Sequence, residues 1–401
     1  MAAASISTQC CIAGGGPAGM MLGLLLARAG VDVLVLEKHA DFLRDFRGDT
    51  IHPSTLEVMH ELGLLDDLLK LPHQKAPQIE GHFGDVAITI ADFSHLPVRC
   101  PFIVFMPQWD FLNFLAERAS RYSPFALRME AEVTGLLEEG GRVVGLRATT
   151  PEGPLDVRAD LVVGADGRDS VVRAQAGLPV NEFGAPMDVL WFGLSRRPTD
   201  PETSMGRFES GRIFITLNRG DYWQCGFVIP KGSVEQIREK GLPAFRAAVA
   251  QVAPFAADRV DELRDWDAIK LLTVEVDRLT RWYRAGLLCI GDAAHAMSPV
   301  GGVGINLAIQ DAVAAANLLS APLREGRSTL EDLRRVQKRR MLPTRLTQRL
   351  QLFLQDRIIG RVLGTEGPPP LPVKLLVRFP FLRRIPARLI GMGIRPEHVR
   401  V

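Results

Sequence analysis

The feature that most restricts the fold lies near the start of the chain, where "QCCIAGGGPAGMMLGLLLARAG" reads as an apolar strand, a glycine-rich turn and an apolar helix. Gly14, Gly16 and Gly19 form a G-x-G-x-x-G pattern at this turn. The first glycine of such a pattern permits the tight turn, the second lets the backbone approach a pyrophosphate, and the third lets the helix pack closely on the strand. A second strand ends at Glu37, where a carboxylate can accept hydrogen bonds from a ribose. The sequence therefore predicts a Rossmann-type unit that binds a dinucleotide.

Two later segments carry further turn patterns of the same kind. The segment "ADLVVGADGRDSVVRAQAGL" places Asp166 and Gly167 between a strand and a helix. The segment "GLLCIGDAAHAMSPVGGVGINLAIQDA" places Asp292 directly after a strand, and a run of glycines then precedes a helix that we predict to begin near Ile305. The chain thus contains three strand–turn–helix units with an acidic residue at or near each turn.

These three patterns, in this order, resemble those of the class A FAD-dependent aromatic monooxygenases. That family has the p-hydroxybenzoate hydroxylase fold and includes the ubiquinone-biosynthesis hydroxylases. The resemblance implies an α/β fold, in which a Rossmann-type FAD-binding domain of the GR2 type carries an inserted mixed β-sheet substrate domain and C-terminal helices. The expected bounds are residues 1–75, 102–178 and 277–330 for the discontinuous FAD-binding domain, 76–101 and 179–276 for the substrate-binding domain, and 331–401 for the C-terminal helical extension.

The patterns and the resemblance together assign a set of residues to FAD. Asp292 is expected at the ribityl chain, the segment "PVGGVGIN" against the isoalloxazine ring, and the start of the following helix at the pyrimidine edge of that ring, where its amides favour the negative charge of reduced flavin. Arg47, with Arg44 as the alternative, is expected at the pyrophosphate. The full set of expected FAD residues is Gly14, Gly16, Pro17, Ala18, Gly19, Glu37, Lys38, Arg47, Gln108, Asp166, Asp292, Gly301, Gly304, Ile305 and Asn306.

The resemblance also implies the other reactants. The chain contains no second Rossmann fingerprint, so NADPH or NADH is expected to bind transiently as the electron donor. O2 is the expected co-substrate, and a flavin C4a-hydroperoxide is expected to transfer one oxygen atom if water is excluded. The flavin carries this chemistry, so no catalytic side chain is assigned with certainty. Pro299, Tyr222 and His52 are the candidates, and His295 is expected to be structural.

The segment 179–276 contains several strand-like runs that would form a sheet over the flavin. The expected substrate residues are Trp191, Phe214, Tyr222, Trp223 and Met297, and they suit a small hydrophobic aromatic or quinone-like substrate. Successive side chains of a strand point to opposite faces, so at most half of the strand residues can line a pocket. The chain has only three tyrosines, which argues against a tyrosine–tyrosine proton relay.

Charge is distributed unevenly along the chain. Residues 321–401 contain 18 Lys and Arg against 6 Asp and Glu, whereas residues 1–320 contain 30 against 40. The tail is expected to be helical, with a kink or break at Pro343, and to pack on the body; contact with a membrane surface is the alternative. The basic residues are not interleaved with stacking aromatics in a recognisable module, so no nucleic-acid partner is expected.

Cysteine usage and the N-terminal segment indicate the compartment. The chain has five cysteines, and no spacing among them resembles a disulfide framework or a metal site, so no metal is expected. No basic region precedes the first apolar segment, so we expect no signal peptide and a cytoplasmic protein, which acts as a monomer or homodimer.

The sequence thus predicts an oxidoreductase, a flavoprotein that uses FAD, NAD(P)H and O2 to hydroxylate an aromatic, polyketide or quinone-like substrate. A reductase or dehydrogenase of the same fold, acting without O2, is the alternative within the class. A FAD-binding protein without turnover is the alternative outside it.

Overall fold

The computed structural model describes residues 4–43, 50–83, 86–209, 211–359 and 371–401. The strands are β1 (Ala4–Ala13), β2 (Val33–Leu36), β3 (Thr50–Ile51), β4 (Gln74–Ala76), β5 (Gln78–Phe83), β6 (Val86–Asp92), β7 (Ile103–Phe105), β8 (Phe125–Arg128), β9 (Glu132–Glu139), β10 (Arg142–Thr150), β11 (Gly153–Gly164), β12 (Val180–Glu182), β13 (Met187–Ser195), β14 (Met205–Glu209), β15 (Arg212–Asn218), β16 (Tyr222–Pro230), β17 (Lys270–Leu272), β18 (Asp277–Leu279), β19 (Tyr283–Arg284) and β20 (Leu287–Cys289). The helices are α1 (Pro17–Arg28), α2 (Pro53–Glu61), α3 (Leu65–Leu68), α4 (Gln108–Ala119), α5 (Val171–Gln175), α6 (Val234–Glu239), α7 (Leu242–Val252), α8 (Gly304–Arg324), α9 (Leu330–Leu354), α10 (Leu371–Arg378) and α11 (Arg384–Gly391).

The main sheet has eight strands. Its path is β19-β20-β11-β1-β2-β8, and β10 and β9 extend from β11 as an antiparallel pair. β1 lies parallel to both β2 and β11, and β11 lies parallel to β20. Parallel strands end at the same edge of a sheet, so the turns that follow β1, β11 and β20 meet there. These are the three turns that carry the sequence patterns.

Two apolar helices cover the main sheet. Ten of the twelve residues of α1 are buried, and α8 is buried along most of its length. The segment 300–324 is long and apolar enough to cross a membrane, but most of it is enclosed by protein, as in the core helix of a globular fold. Both helices pack in the largest core cluster together with the strands of the main sheet.

The second sheet has seven strands in the order β17-β13-β16-β15-β14-β5-β6. It combines β5 and β6 with strands that come about a hundred residues later in the chain, as expected for a discontinuous substrate domain. One face packs against α7 and the short helical segment 254–262. The predicted fold class is therefore confirmed, while the domain bounds stay a prediction.

The C-terminal region is helical, as expected, and packs on the body. α9 begins with a capping box between Thr329 and Asp332 and continues through Pro343, so the predicted break at this proline is wrong. Buried residues lie along the whole length of α9, from Leu333 and Val336 near its start to Gln348 and Gln351 near its end. α11 packs on β6 and on the short turn that follows it, with Ala387 buried.

Candidate functional site

The three turns that carry the sequence patterns contact one another at one edge of the main sheet. A Cβ atom at Gly14 would lie 2.4 Å from the carbonyl oxygen of Ala165, so the first turn rests on the second. A Cβ atom at Gly291 would lie 3.1 Å from Cβ of Ala18, so the third turn rests on the start of α1. The second and third turns are joined by an ion pair between Arg168 and Asp292. Each turn thus fixes the position of the other two.

The first turn leaves room where a pyrophosphate is expected. No described atom lies within 4 Å of a Cβ built at Gly16, whereas one built at Gly19 would lie 2.0 Å from the carbonyl oxygen of Gly14. Pro17 is the first residue of α1, and no side chain of the described residues caps the helix N-terminus. The first amides of α1 therefore have no side-chain acceptor among the described residues, as a phosphate-binding helix start requires. The open space at Gly16 fits the dinucleotide predicted from the sequence.

The carboxylate expected at the ribose is held in place by backbone amides. Oε2 of Glu37 accepts a hydrogen bond of 2.9 Å from the amide of Gly15, and Oε1 accepts one of 3.1 Å from the amide of His39. Glu37 is buried, while Lys38 beside it is exposed. A carboxylate oxygen has more than one lone pair, so these bonds orient Glu37 and leave it able to accept from a ribose hydroxyl.

Asp166 is held by hydrogen bonds within its own turn. Its two carboxylate oxygens accept hydrogen bonds from the Ser170 hydroxyl at 2.5 Å and from the Val172 amide at 3.0 Å. Burial raises its pKa, although these donors act in the opposite direction. The carboxylate therefore shapes the second turn and the start of α5, and direct contact with FAD stays a prediction.

Asp292 lies at the third turn, partly exposed. Its Oδ2 is 3.3 Å from Nε of Arg168, and the same guanidinium donates to the carbonyl oxygen of Thr273. The pair is partly exposed to solvent on both sides, so its contribution to stability is small. The pair instead fixes the position of the Asp292 carboxylate relative to the second turn.

The segment after Asp292 forms a loop of bare backbone, which we call the glycine loop, residues 299–304. Gly301 and Gly302 both have positive φ, of 80° and 62°, so side chains at these positions would strain the backbone. α8 begins at Gly304, one residue before the predicted start, and no side chain among the described residues caps it. An unobstructed helix start beside bare backbone fits the ring of a flavin, whose reduced form is an anion.

Asn306 anchors the first turn of α8 to the body. Its Oδ1 accepts hydrogen bonds from the hydroxyls of Ser54 and Thr55, at 2.5 and 3.0 Å. Ile305 beside it is buried in the main core. Oδ1 of Asn306 is therefore occupied within the protein, and the expected contact of this residue with a flavin stays a prediction.

A buried charge network supports the glycine loop from behind. Asp311 of α8 accepts hydrogen bonds from His295 at 2.6 Å, from the amide of Gly291 at 3.1 Å and from Arg340 of α9 at 2.9 Å. Burial raises the pKa of Asp311, but His295 and Arg340 outweigh it and hold that pKa below its usual range. Arg340 in turn pairs with Glu397. His295 is thus structural, as expected. Asp311, Arg340 and Glu397 could not be recognised from the sequence as members of this network.

His52, a catalytic candidate, is completely buried. Among the described residues, its hydrogen-bond partners lie outside the second sheet. Its Nδ1 lies 2.9 Å from the carbonyl oxygen of Ile390, and its Nε2 lies 3.0 Å from that of Gly302. The ring therefore joins the glycine loop to α11. We propose a positioning role for His52 instead of a catalytic one.

This position predicts a pH dependence of stability. Burial lowers the pKa of His52 from its ordinary 6.5 to about 4, although the two carbonyl oxygens favour the charged ring. The folded protein therefore prefers the neutral ring, so stability is fully present above pH 6.5 and falls as the pH decreases towards 4. The loss should reach about 3 kcal/mol. Urea unfolding at a series of pH values should show this decrease in the wild type, and a smaller one in His52→Gln; equal slopes would contradict it.

Alternation along the strands divides the predicted substrate residues between two faces. Trp191 packs in a cluster with Val300 of the glycine loop, on the face that also carries Tyr222 and Gln224. Phe214 and Trp223 lie on the opposite face, in the core beneath α7. Trp223 is completely buried there, and its indole N–H donates to Asp200. Phe214 and Trp223 are therefore core residues and do not belong to the proposed substrate-binding surface.

The remaining predicted residues fall outside that face. Met297 is buried against the first turn of α8 and Ile390, so it supports the glycine loop from below. Pro299 is partly buried and begins the loop. Gln108 is the first residue of α4 and is partly buried. Arg47 and its alternative Arg44 lie outside the described residues.

Comparisons with known proteins support this reading of the geometry. A family model described as "FAD binding domain" matches residues 7–349. The chain is 33% identical over 395 residues to 6-methylpretetramide 4-monooxygenase of Streptomyces rimosus, covering 98% of this chain and 94% of the relative. It is 30% identical to dialkyldecalin synthase of Streptomyces rugosporus, over 75% of this chain and 63% of that protein. The solved structure of the OxyS anhydrotetracycline hydroxylase from Streptomyces rimosus superposes with a TM-score of 0.75 at 27% identity, over 96% of this chain and 76% of the other.

Proposed function

Because this chain belongs to the class A FAD-dependent aromatic monooxygenases, we propose that its substrate is a planar aromatic polyketide held between the glycine loop and the second sheet. The protein is a flavoprotein monooxygenase that uses FAD, NAD(P)H and O2 to hydroxylate an aromatic or polyketide substrate. The relatives named above support the polyketide class. A quinone-like substrate is the runner-up.

The observation that carries this proposal is the composition of the sheet face beside the glycine loop. Trp191 pairs with Gly226 across β13 and β16, and a Cβ atom at Gly226 would lie 3.0 Å from the indole ring. The absence of a side chain at Gly226 therefore lets the indole lie against the sheet. Val189, Ile213 and Val228 surround it. A flat apolar surface of this kind suits a flat apolar ligand.

Polar groups on the same face could orient the proposed substrate by hydrogen bonding. Tyr222 is the only one of the three tyrosines on the second sheet, and it lies two residues from buried Gln224. Oε1 of Gln224 accepts a hydrogen bond of 3.0 Å from Arg219. Few polar groups on an apolar surface fix the pose of a ligand while its apolar remainder excludes water. We propose that Tyr222 and Gln224 contact oxygen substituents of the substrate.

The protein residues bind, orient and shield, and FAD supplies the oxygen-activating chemistry when it is bound. Gly14, Gly16 and the start of α1 hold the phosphates, Glu37 a ribose and Asp292 the ribityl chain in this proposal. The glycine loop and the start of α8 hold the ring. Exclusion of water by the Trp191 face matters because water at the site would waste reducing equivalents.

Oxygen labelling tests this function. FAD-loaded enzyme is mixed with NADPH or NADH and a panel of polycyclic aromatic polyketides, phenols and quinols under 18O2, and the products are analysed by mass spectrometry. One labelled oxygen atom in the product of a polyketide supports the proposal. A reduced product without label supports the reductase alternative. Product formed without NAD(P)H or O2 consumption would point to a non-oxidative use of the fold, which the name of dialkyldecalin synthase makes worth testing.

Removal of the indole should weaken substrate binding. Trp191→Ala takes away the aromatic surface next to the glycine loop, and we expect KM for the aromatic substrate to rise about tenfold or more. Trp191→Phe, which keeps a ring, should be affected less. Trp266→Ala is the matched control, because Trp266 packs on the α7 side of the sheet. An unchanged KM in Trp191→Ala would remove this residue from the substrate surface.

A further inference from the structure

The C-terminal region presents an apolar surface to solvent, which we call the tail surface, residues 374–385. Phe381 is 63% exposed and Ile385 57% exposed. Leu375, Val377 and Phe379 are also exposed. Large apolar side chains that cluster on a surface in this way mark a contact with another molecule or with a membrane.

The tail surface is strongly basic and its charges are not neutralised within the protein. Five cations lie in or beside it, and none of them forms an ion pair with a carboxylate of the described residues: Lys374, Arg378, Arg383, Arg384 and Arg388. Residues 371–396 contain no Asp or Glu. The guanidinium of Arg378 lies over the ring of Phe379, and Arg384 reaches His95. Arg383 is half-buried and donates to the carbonyl oxygen of Leu376, whereas the other four cations are exposed among aromatic and aliphatic side chains.

α11, which begins within the tail surface and continues beyond it, is firmly packed on its inner side. Ala387 and Gly391 of α11 are buried, and a Cβ atom at Gly391 would lie 3.0–3.2 Å from Leu96, Phe93 and Pro53. The carbonyl oxygen of Ile390 is bound to His52. Most of the exposed residues thus precede the helix that is anchored in the core, and no described residue covers them.

We propose that the tail surface docks on an anionic lipid membrane. Cations mixed with Phe, Leu and Ile on short helices fit such a surface, because the headgroups attract the charges while the apolar side chains enter the interface. Arg and Lys stems add apolar contact in this position. A protein partner would need an acidic surface that also covers the exposed phenyl rings.

The charge distribution of the whole chain orients this contact. Residues 1–320 have an excess of acidic side chains, 40 against 30 basic, and an anionic membrane repels them. The basic tail therefore faces the lipid and the body faces away. Because α11 is joined through His52 to Gly302, the docked surface lies one helix away from the glycine loop. An apolar substrate dissolved in the membrane would then be close to the site.

Vesicle co-sedimentation of the FAD-loaded enzyme tests the proposal. We expect binding to vesicles that contain phosphatidylglycerol, little binding to pure phosphatidylcholine, and weaker binding at high ionic strength. Arg378→Gln should lower the partition coefficient about fivefold. Phe381→Ser should lower it at least as much. Phe183→Ser is the matched control, because Phe183 is a half-exposed phenylalanine outside the tail surface, and it should bind as the wild type does.

Three results would overturn the proposal. They are no sedimentation with anionic vesicles, equal binding by Phe381→Ser and the wild type, and a dimer in analytical ultracentrifugation that Phe381→Ser converts to monomer without any vesicle binding. The last result would assign the surface to a second copy of the chain. Hydroxylation by the same preparations in vesicle-free buffer is measured in parallel, so a failure of docking is distinguished from a failure of the proposed function.

Discussion

Asp292→Ala is expected to be purified with little or no bound FAD. The substitution removes the carboxylate that we place at the ribityl hydroxyls and leaves Arg168 without its anionic partner. A hydrogen bond to a charged group contributes about 1.5–3 kcal/mol, so the Kd for FAD should rise roughly 10- to 100-fold. The Kd of Asp292→Asn, which keeps an acceptor oxygen, should lie between those of the wild type and Asp292→Ala.

Titration of the apoprotein with FAD, followed by quenching of flavin fluorescence, measures this effect. Asp169→Ala is the control, because Asp169 is exposed and directly precedes Ser170, the N-cap residue of α5. Its affinity for FAD should match that of the wild type. If Asp292→Ala retains a full complement of flavin, the assignment of the third turn to the ribityl chain is wrong.

Two alanine substitutions in the first turn should affect different properties. Gly19→Ala should lower the stability of the fold, whereas Gly16→Ala should weaken FAD binding. The Cβ atom of Gly19→Ala would lie 2.0 Å from the carbonyl oxygen of Gly14, a backbone atom that cannot move without disturbing β1. We expect a loss of about 2–3 kcal/mol in the free energy of unfolding. Gly16→Ala meets no described atom within 4 Å, so it should fold normally, yet its methyl group would occupy the space expected for the pyrophosphate.

Urea unfolding of the two apoproteins, with FAD titration of each, separates these effects. Gly19→Ala should unfold at lower urea, and Gly16→Ala should unfold as the wild type does but bind FAD at least about tenfold more weakly. A Gly16→Ala variant with normal affinity would place the pyrophosphate elsewhere. A Gly19→Ala variant of normal stability would show that α1 can move away from β1.

The FAD side of the site could be predicted from the sequence because its information is local. Each of its turns is a contiguous segment in which a strand, a glycine and a helix follow one another, and the parallel order of β1, β11 and β20 brings the segments together. Gly16, Glu37 and Asp292 were assigned from these segments without knowledge of distant contacts, and their contacts with FAD stay predictions. The family and the predicted fold class follow from the same segments and were confirmed.

The substrate side could be predicted only in part, because both faces of its strands are apolar. Along β16, "YWQCGFVIP" gives no alternation of polar and apolar residues that would show which face α7 covers. The sequence therefore could not show which of Trp191 and Trp223 faces the substrate. The packing of α7 on one face of the sheet shows that Trp223 is the core residue. Asp311 and Arg340 were missed for another reason, since a buried ion pair between two helices, here 29 residues apart, has no sequence pattern.

The network around Asp311 has a consequence for biosynthesis. Asp311 binds the turn of the third pattern, and its partner Arg340 is neutralised on the far side by Glu397. The segment through residue 397 must therefore have left the ribosome before these buried charges are all compensated. The G-x-G-x-x-G turn is synthesised long before Glu397, so the charges that hold the third turn are fully compensated only after most of the FAD-binding sheet has been made.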